Sequence, residues 1–237
     1  MPTTLLFDLD NTLWDDDASL EKCVLQVCEG LVAHLQPFDA LTLTRDYIQR
    51  SDEYWLSKRY DVELLPDARL LLWTETLTAY GCDDPRIALQ TRDAYTTYRG
   101  EHALCYDETQ EVVAYLHGRY RLAAITNGHG EVQRARLRAA GLERFFEAVV
   151  AATDVELVKP DAAMFEHTLR LVGASPGHAW HIGDSLKSDV AGARNAGLGG
   201  AVWLNRHGHQ RGEADPEPHH EVESLRAFAA LLERYGE

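Results

Sequence analysis

The spacing of apolar positions changes character along the chain. Thr3 to Leu9 is a short, β-favouring apolar run that ends abruptly at Asp8-Leu9-Asp10-Asn11-Thr12. A buried strand that carries acids to its carboxyl end has this pattern. From Asp15 to Tyr98 the period is helical. Leu20, Val24, Val27, Leu31 and Leu35 recur every three or four residues, behind Asp15 to Asp17 at the positive end of the helix. Further helices are predicted over about Leu41 to Ser57, Asp67 to Tyr80 and Asp84 to Tyr98, punctuated by Pro66 and by Gly81 with Pro85. Strand signals are nearly absent from this stretch.

After Leu104 helix and strand alternate. The pattern predicts a helix near Glu108 to Leu116, a strand at Leu122 to Thr126, a helix near Glu131 to Ala140 and a strand at Ala148 to Ala151. It continues with a helix from Pro160, read as an N1 proline, to Leu171, and a strand at Ala179 to Ile182. A helix near Leu186 to Ala196 and a strand at Ala201 to Leu204 follow. This is βαβ grammar, and the chain reads as an α/β, Rossmann-like parallel-sheet core interrupted just after its first strand by an all-helical insertion. Arg206 to His220 reads as a surface loop before a last helix near Glu221 to Tyr235. His207, His209, His219 and His220 show no ligand spacing and read as solvated.

With 237 residues and 45% hydrophobic content, the chain is long enough for a core domain carrying a smaller inserted one. The formal net charge of −15, with no Lys/Arg-rich run, repels nucleic acid and anionic membranes, so neither is an expected partner. That field also repels phosphorylated substrates. Phosphate chemistry here therefore needs a cation and basic groups placed locally. Cys23, Cys28, Cys82 and Cys105 form no CxxC pair and read as reduced core thiols. The run Leu5 to Phe7 is too short for a signal segment and no window approaches membrane-spanning length, so the expectation is a soluble, cytoplasmic chain. A monomer and a homodimer both stay open.

Four short segments lie just beyond predicted strands, where open α/β sheets bind ligands: Asp8 with Asp10 and Thr12, Thr126 with Asn127, Lys159, and Asp184 with Asp189. Phe7-Asp8-Leu9-Asp10-Asn11-Thr12-Leu13 resembles the DxDxT motif of haloacid dehalogenase-like hydrolases. Ile125-Thr126-Asn127-Gly128, Val158-Lys159-Pro160 and His181-Ile182-Gly183-Asp184 through Asp189 resemble the remaining motifs, in the family's order. The resemblance covers about Leu5 to Arg206. It implies a catalytic core over 1–14 and 102–237 with a small helical cap over 15–101. It also implies a Mg2+-dependent phosphatase acting on a small phosphorylated metabolite. In that reading Asp8 is the nucleophile, and Asp10 is the acid and base whose carbonyl also binds metal. Asp8 and Asp184 are metal carboxylates, while Lys159, Thr126 and Asn127 hold the phosphoryl group. Thr12 and Asp189 support them.

The chemistry of these residue types agrees with the resemblance. Attack by a carboxylate divides phosphoester hydrolysis into two steps, and most of the remaining catalysis is positioning and charge neutralisation. Asp8 and Asp10 are two residues apart, so in extended backbone both side chains share a side and can flank one substrate. Lys159 supplies the positive charge that the chain otherwise lacks. Within the family, an acid at the position of Asp10 separates phosphatases and mutases from dehalogenases. A phosphomutase, a dehalogenase and a silent phosphate-binding module remain the alternatives. The core phrases look most like bacterial phosphatases of FMN and of a ribitylaminouracil phosphate, with sialic-acid-phosphate and nucleotide phosphatases nearby. Trp14, Lys58, Arg59, Tyr60, Arg99 and His129 are candidates for substrate contact.

Overall fold

The computed structural model describes residues 1–31, 39–58 and 65–235. The first strand, β1 (Thr4–Phe7), is buried along its whole length. Four helices follow it: α1 (Asp16–Leu31), α2 (Ala40–Lys58), α3 (Leu65–Ala79) and α4 (Pro85–Glu101). The chain then returns through α5 (Thr109–His117) to β2 (Arg121–Thr126), α6 (Gly130–Ala139), β3 (Ala148–Ala151) and the short α7 (Ala152–Val155). Next come α8 (Ala162–Leu171), β4 (Ala179–Gly183), a π-helical turn over Leu186–Val190 leading into α9 (Ala191–Asn195), β5 (Gly200–Leu204), β6 (His220–Val222) and α10 (Leu225–Arg234).

The six strands form one parallel sheet in the order β3-β2-β1-β4-β5-β6. Side chains alternate across a strand, so β1 feeds two layers. Leu5 and Phe7 join α5 and α10 residues such as Val113, Leu116, Phe228 and Leu232 on one face. Leu6 joins Met164 and Phe165 of α8 and Ala193 of α9 on the other. Helices α1 to α4 bury a third cluster of their own, built on Cys23, Val27, Leu77 and Tyr95, with Tyr47 stacked on Trp73 at 3.9 Å. The result is a Rossmann-like parallel-sheet core with an inserted helical cap.

This topology positions the site. The chain leaves β1 on one side for β2 and β3, then crosses to β4 on the other, so the sheet order switches beside the carboxyl end of β1. Phe7 pairs with Ala124 of β2 and with Ile182 of β4, and the residues that follow these three strands emerge at one edge.

Two sequence expectations need correction. Helix α8 begins at Ala162 rather than at Pro160, because Asp161 takes the N-cap place and its Oδ1 accepts the Ala163 N–H at 2.9 Å. Pro160 sits in the turn before it. The last helix begins at Leu225, capped by the Ser224 hydroxyl, because His220–Val222 adds β6 to the open edge of β5. All four cysteines are free thiols, with Cys23 and Cys28 buried. Among the described residues no helix is long and apolar enough to cross a membrane.

Candidate active site

The turn after β1 folds its own side chains back onto the two acids. The Leu9 carbonyl accepts the Thr12 and Leu13 N–H groups at 3.2 and 2.9 Å. Asn11 takes the left-handed conformation at φ 59°, which a short amide side chain tolerates, and its Oδ1 accepts the Asp16 N–H at 2.8 Å. The tight turn brings the Thr12 hydroxyl to Asp8 Oδ2 at 2.8 Å and the Trp14 indole N–H to Asp10 Oδ1 at 2.9 Å. Trp14 is fully buried, so it orients Asp10 from beneath.

Lys159 is 2% exposed, and its ammonium donates to Asp8 Oδ1 at 2.5 Å and to Asp189 Oδ1 at 2.7 Å. Asn127 fixes the lysine's backbone, its Oδ1 accepting the Lys159 N–H at 2.7 Å and its Nδ2 donating to the Lys159 carbonyl at 3.0 Å. Asp189 also accepts His181 Nε2 at 3.0 Å and the Ser185 N–H at 3.0 Å, so both its oxygens are engaged. Gly183 makes this possible, because a Cβ there would lie 2.2 Å from Asp189 Cγ. Burial opposes ionisation of both partners. The neighbouring charges overcome it, so Lys159 and His181 hold Asp189 well below the usual carboxylate range, and Asp189 with Asp8 holds the Lys159 ammonium above its own.

Asp10 is held from the opposite side by residues that sequence reasoning missed. Arg136, on α6 and fully buried, donates through Nη1 to Asp10 Oδ1 at 2.7 Å and to Asp16 Oδ1 at 2.5 Å, with its guanidinium 4.5 Å from the Trp14 ring. Gln133, one turn earlier, donates to Asp10 Oδ2 at 2.5 Å and to the Thr126 hydroxyl at 3.3 Å. Asp16 also pairs with Arg99 of α4 at 2.7 Å. The chain Asp10–Arg136–Asp16–Arg99 thus ties the first-strand turn to both ends of the helical insertion. Burial and the neighbouring Asp16 carboxylate raise the Asp10 carboxyl above its ordinary value.

Asp8, Asp10, Thr126, Lys159, Asp184 and Asp189 line one cavity of about 400 Å³. Asn127 and His129 reach the same cavity, and the cap closes it with Tyr47, Trp55, Arg69, Tyr95 and Arg99. Thr12 lies beneath Asp8, fully buried. Lys58, Arg59 and Tyr60 fall outside the residues whose side chains the structure describes.

The donor set fits a hard divalent cation. Carboxylate oxygens of Asp8, Asp184 and Asp189 lie within 4.8 Å of one another. Burial pushes the Asp8 carboxyl up to about 7 and Asp184 well above its ordinary value, with nearby carboxylates adding to both. With Asp10 paired to Arg136, three further acids still face the one buried ammonium of Lys159, an excess of negative charge that a dication relieves. Asp189 is spent on three donors and Asp8 takes one on each oxygen, whereas the Asp184 carboxylate has no hydrogen-bond partner among the described residues. Asp184 therefore has the most room for a metal, and Asp8, with a single donor on each oxygen, has the next most.

Comparison with known proteins gives a family-wide match. The family model described as haloacid dehalogenase-like hydrolase matches residues 2–197. The chain is 29% identical to the N-acylneuraminate-9-phosphatase of Mus musculus over 97% of this chain and 93% of that one. It is 28% identical to the pyrimidine 5'-nucleotidase PynA of Streptococcus pneumoniae over 97% and 94%. Among solved structures, a phosphatase from Thermococcus onnurineus superposes with a TM-score of 0.69 at 26% identity, covering 98% of each chain. The magnesium-bound YfnB protein of Bacillus subtilis superposes with a TM-score of 0.79 at 24% identity, covering 98% of each. These relatives give no specific support to the FMN-type branch that the core phrases resemble.

Proposed function

Because the chain belongs to the haloacid dehalogenase-like hydrolases and is an enzyme of their phosphatase type, we propose that it hydrolyses a small phosphomonoester metabolite through a phospho-aspartate at Asp8, with Mg2+ as cofactor. The observation that carries this reading is the contact of the Lys159 ammonium with Asp8 and Asp189 at 2.5 and 2.7 Å, in one cavity with Asp10 and Asp184. The murine and streptococcal relatives, by their names, both act on small phosphomonoesters, which supports the substrate class.

Each residue has a task that its surroundings support. Thr12 and Lys159 hold the two oxygens of Asp8, so the carboxylate meets phosphorus in a fixed orientation. Attack forms the Asp8–phosphorus bond as the ester oxygen leaves. Asp10, whose carboxyl burial keeps protonated to higher pH, gives its proton to that oxygen. The resulting Asp10 carboxylate takes a proton from water, and that water attacks phosphorus, breaking the acyl phosphate and restoring Asp8. Lys159 and the Thr126 hydroxyl steady the negative oxygens throughout. When bound, Mg2+ supplies the neutralisation that lets a carboxylate approach a phosphate, held by Asp8, Asp184 and the Asp10 carbonyl.

Asp10 also argues against halide release, since a departing halide needs no proton, whereas an alkoxide does. Turnover of p-nitrophenyl phosphate that EDTA removes and Mg2+ restores, and that Asp8→Asn abolishes in a folded protein, is the expected result. Asp8→Asn activity within about tenfold of wild type, a barrier change near 1.4 kcal/mol, would refute the nucleophile assignment.

A further inference from the structure

Opposite the catalytic acids, the cap wall of the cavity carries basic groups that phosphate chemistry does not use. Arg69 of α3 lies over the Tyr95 ring, 5.5 Å from its centroid, and has no ion-pair or hydrogen-bond partner among the described residues. Arg99 lies one helical turn beyond Tyr95 on α4, and Arg69, Tyr95 and Arg99 line the same cavity. Arg99 is 6% exposed and spends Nη2 on Asp16, but its Nε and Nη1 are buried without a partner. From the core side, at the turn before α6, His129 Nδ1 is also buried without a partner, and all three side chains line the cavity. The two free Arg99 N–H groups are buried donors that are costly to leave unsatisfied, so the wall they share with Arg69 is built to receive an acceptor.

We propose that this wall is a second anion subsite, and that the substrate is a phosphomonoester whose organic part carries a carboxylate. The inference rests on the phosphatase reading and deepens it by naming the substrate class. A guanidinium fork matches the planar carboxylate, which can accept two parallel N–H bonds. A single negative charge fits the wall better than a second phosphate. Asp16, Asp17 and Asp52 line the same cavity, three acids against the two guanidiniums, so the wall takes an anion through the directed N–H groups of Arg69 and Arg99 rather than through a positive field, and a doubly charged second phosphate would be repelled. Phosphate at Asp8 and Lys159 and carboxylate at Arg69 and Arg99 would span the cavity from core to cap, so one molecule would engage both domains.

The test uses matched pairs that differ only in carboxylate against hydroxymethyl: 3-phosphoglycerate with glycerol 3-phosphate, 4-phosphoerythronate with erythritol 4-phosphate, and 6-phosphogluconate with sorbitol 6-phosphate. Calorimetric titration of the Asp8→Asn protein in Mg2+ reads affinity without turnover, while wild-type hydrolysis of p-nitrophenyl phosphate reports separately on the phosphatase reading. At least one acid is expected to bind about tenfold or more tightly than its alcohol. Adding Arg69→Ala should bring that ratio to within about twofold of one, and Arg69→Lys should retain part of it. Equal affinities in every pair, or a preference that survives Arg69→Ala, would overturn the subsite. Tighter binding of fructose 1,6-bisphosphate than of fructose 6-phosphate, without any acid preference, would overturn the carboxylate assignment.

Discussion

Replacing Arg136 by Met removes a charge from the least accessible part of the site while keeping an unbranched apolar stem. The guanidinium is fully buried and bonds Asp10 Oδ1 at 2.7 Å and Asp16 Oδ1 at 2.5 Å. Breaking a buried ion pair by deleting one partner costs about 3–5 kcal/mol, because the remaining carboxylate is left uncompensated. Asp16 keeps Arg99 at 2.7 Å, and Asp10 keeps Trp14 and Gln133, which places the expected loss at the lower end, about 3 kcal/mol. The Trp14 ring, 4.5 Å from the guanidinium, loses a cation–π contact worth about 0.5–2 kcal/mol at the same time. Urea unfolding of wild type and variant, read by tryptophan fluorescence, measures this difference. Catalysis should fall too, since Asp10 loses one of the donors that aim it, and a drop in kcat of about tenfold or more is expected, near 1.4 kcal/mol. A stability loss under about 1 kcal/mol with unchanged kcat would refute the assignment of Arg136 as the residue that positions Asp10.

Other predictions follow from neighbouring contacts. Lys159→Ala should weaken vanadate inhibition by about tenfold or more, because it deletes a charge-assisted donor beside the phosphoryl site; unchanged inhibition would remove Lys159 from phosphate binding. Asp16 offers a pH test. Burial opposes its ionisation, but Arg99 and Arg136 overcome that and hold its carboxyl below the ordinary range. A depressed folded-state value means that stability is fully present above the unfolded carboxylate value, about 3.9, and is lost as pH falls below it. The difference in unfolding free energy between wild type and Asp16→Asn should therefore be flat above about pH 5 and shrink below about pH 4. A difference that stays constant down to acid unfolding would contradict the ion-pair account.

What the sequence makes legible depends on how local the signal is. The strands at β1 and β2 stand out because their short apolar runs end at Asp10-Asn11 and at Asn127-Gly128, and the residues that follow β1, β2 and β4 carry the DxDxT, hydroxyl and GDxxxxD patterns in order. The structure gathers Asp8, Asp10, Thr126, Lys159, Asp184 and Asp189 around one cavity, which is the convergence that strand-end placement predicts. Arg136 and Gln133 are a different case. On α6 they look like ordinary polar helix positions, and only the fold brings Arg136 to Asp10, 126 positions earlier. The one signal available was their spacing of three, which puts both on the helix face that packs over the first-strand turn. His181, behind Asp189, reads as a β4 strand residue because its partner lies eight positions on. β6 escaped because three residues are too few for alternation to register, and its pairing with β5 is a tertiary event. Pro160 misled because a proline can precede an N-cap as well as follow one, and the Asp161 cap decided between them.

A phospho-aspartate at Asp8 can be trapped chemically. Enzyme turning over p-nitrophenyl phosphate in Mg2+ would be quenched with borohydride, which reduces an acyl phosphate to the alcohol, and the peptide containing residue 8 would be read by mass spectrometry. Homoserine is expected at position 8, absent when phosphate ester is omitted. Sustained turnover with aspartate intact at position 8, or reduction at any other carboxylate, would contradict it.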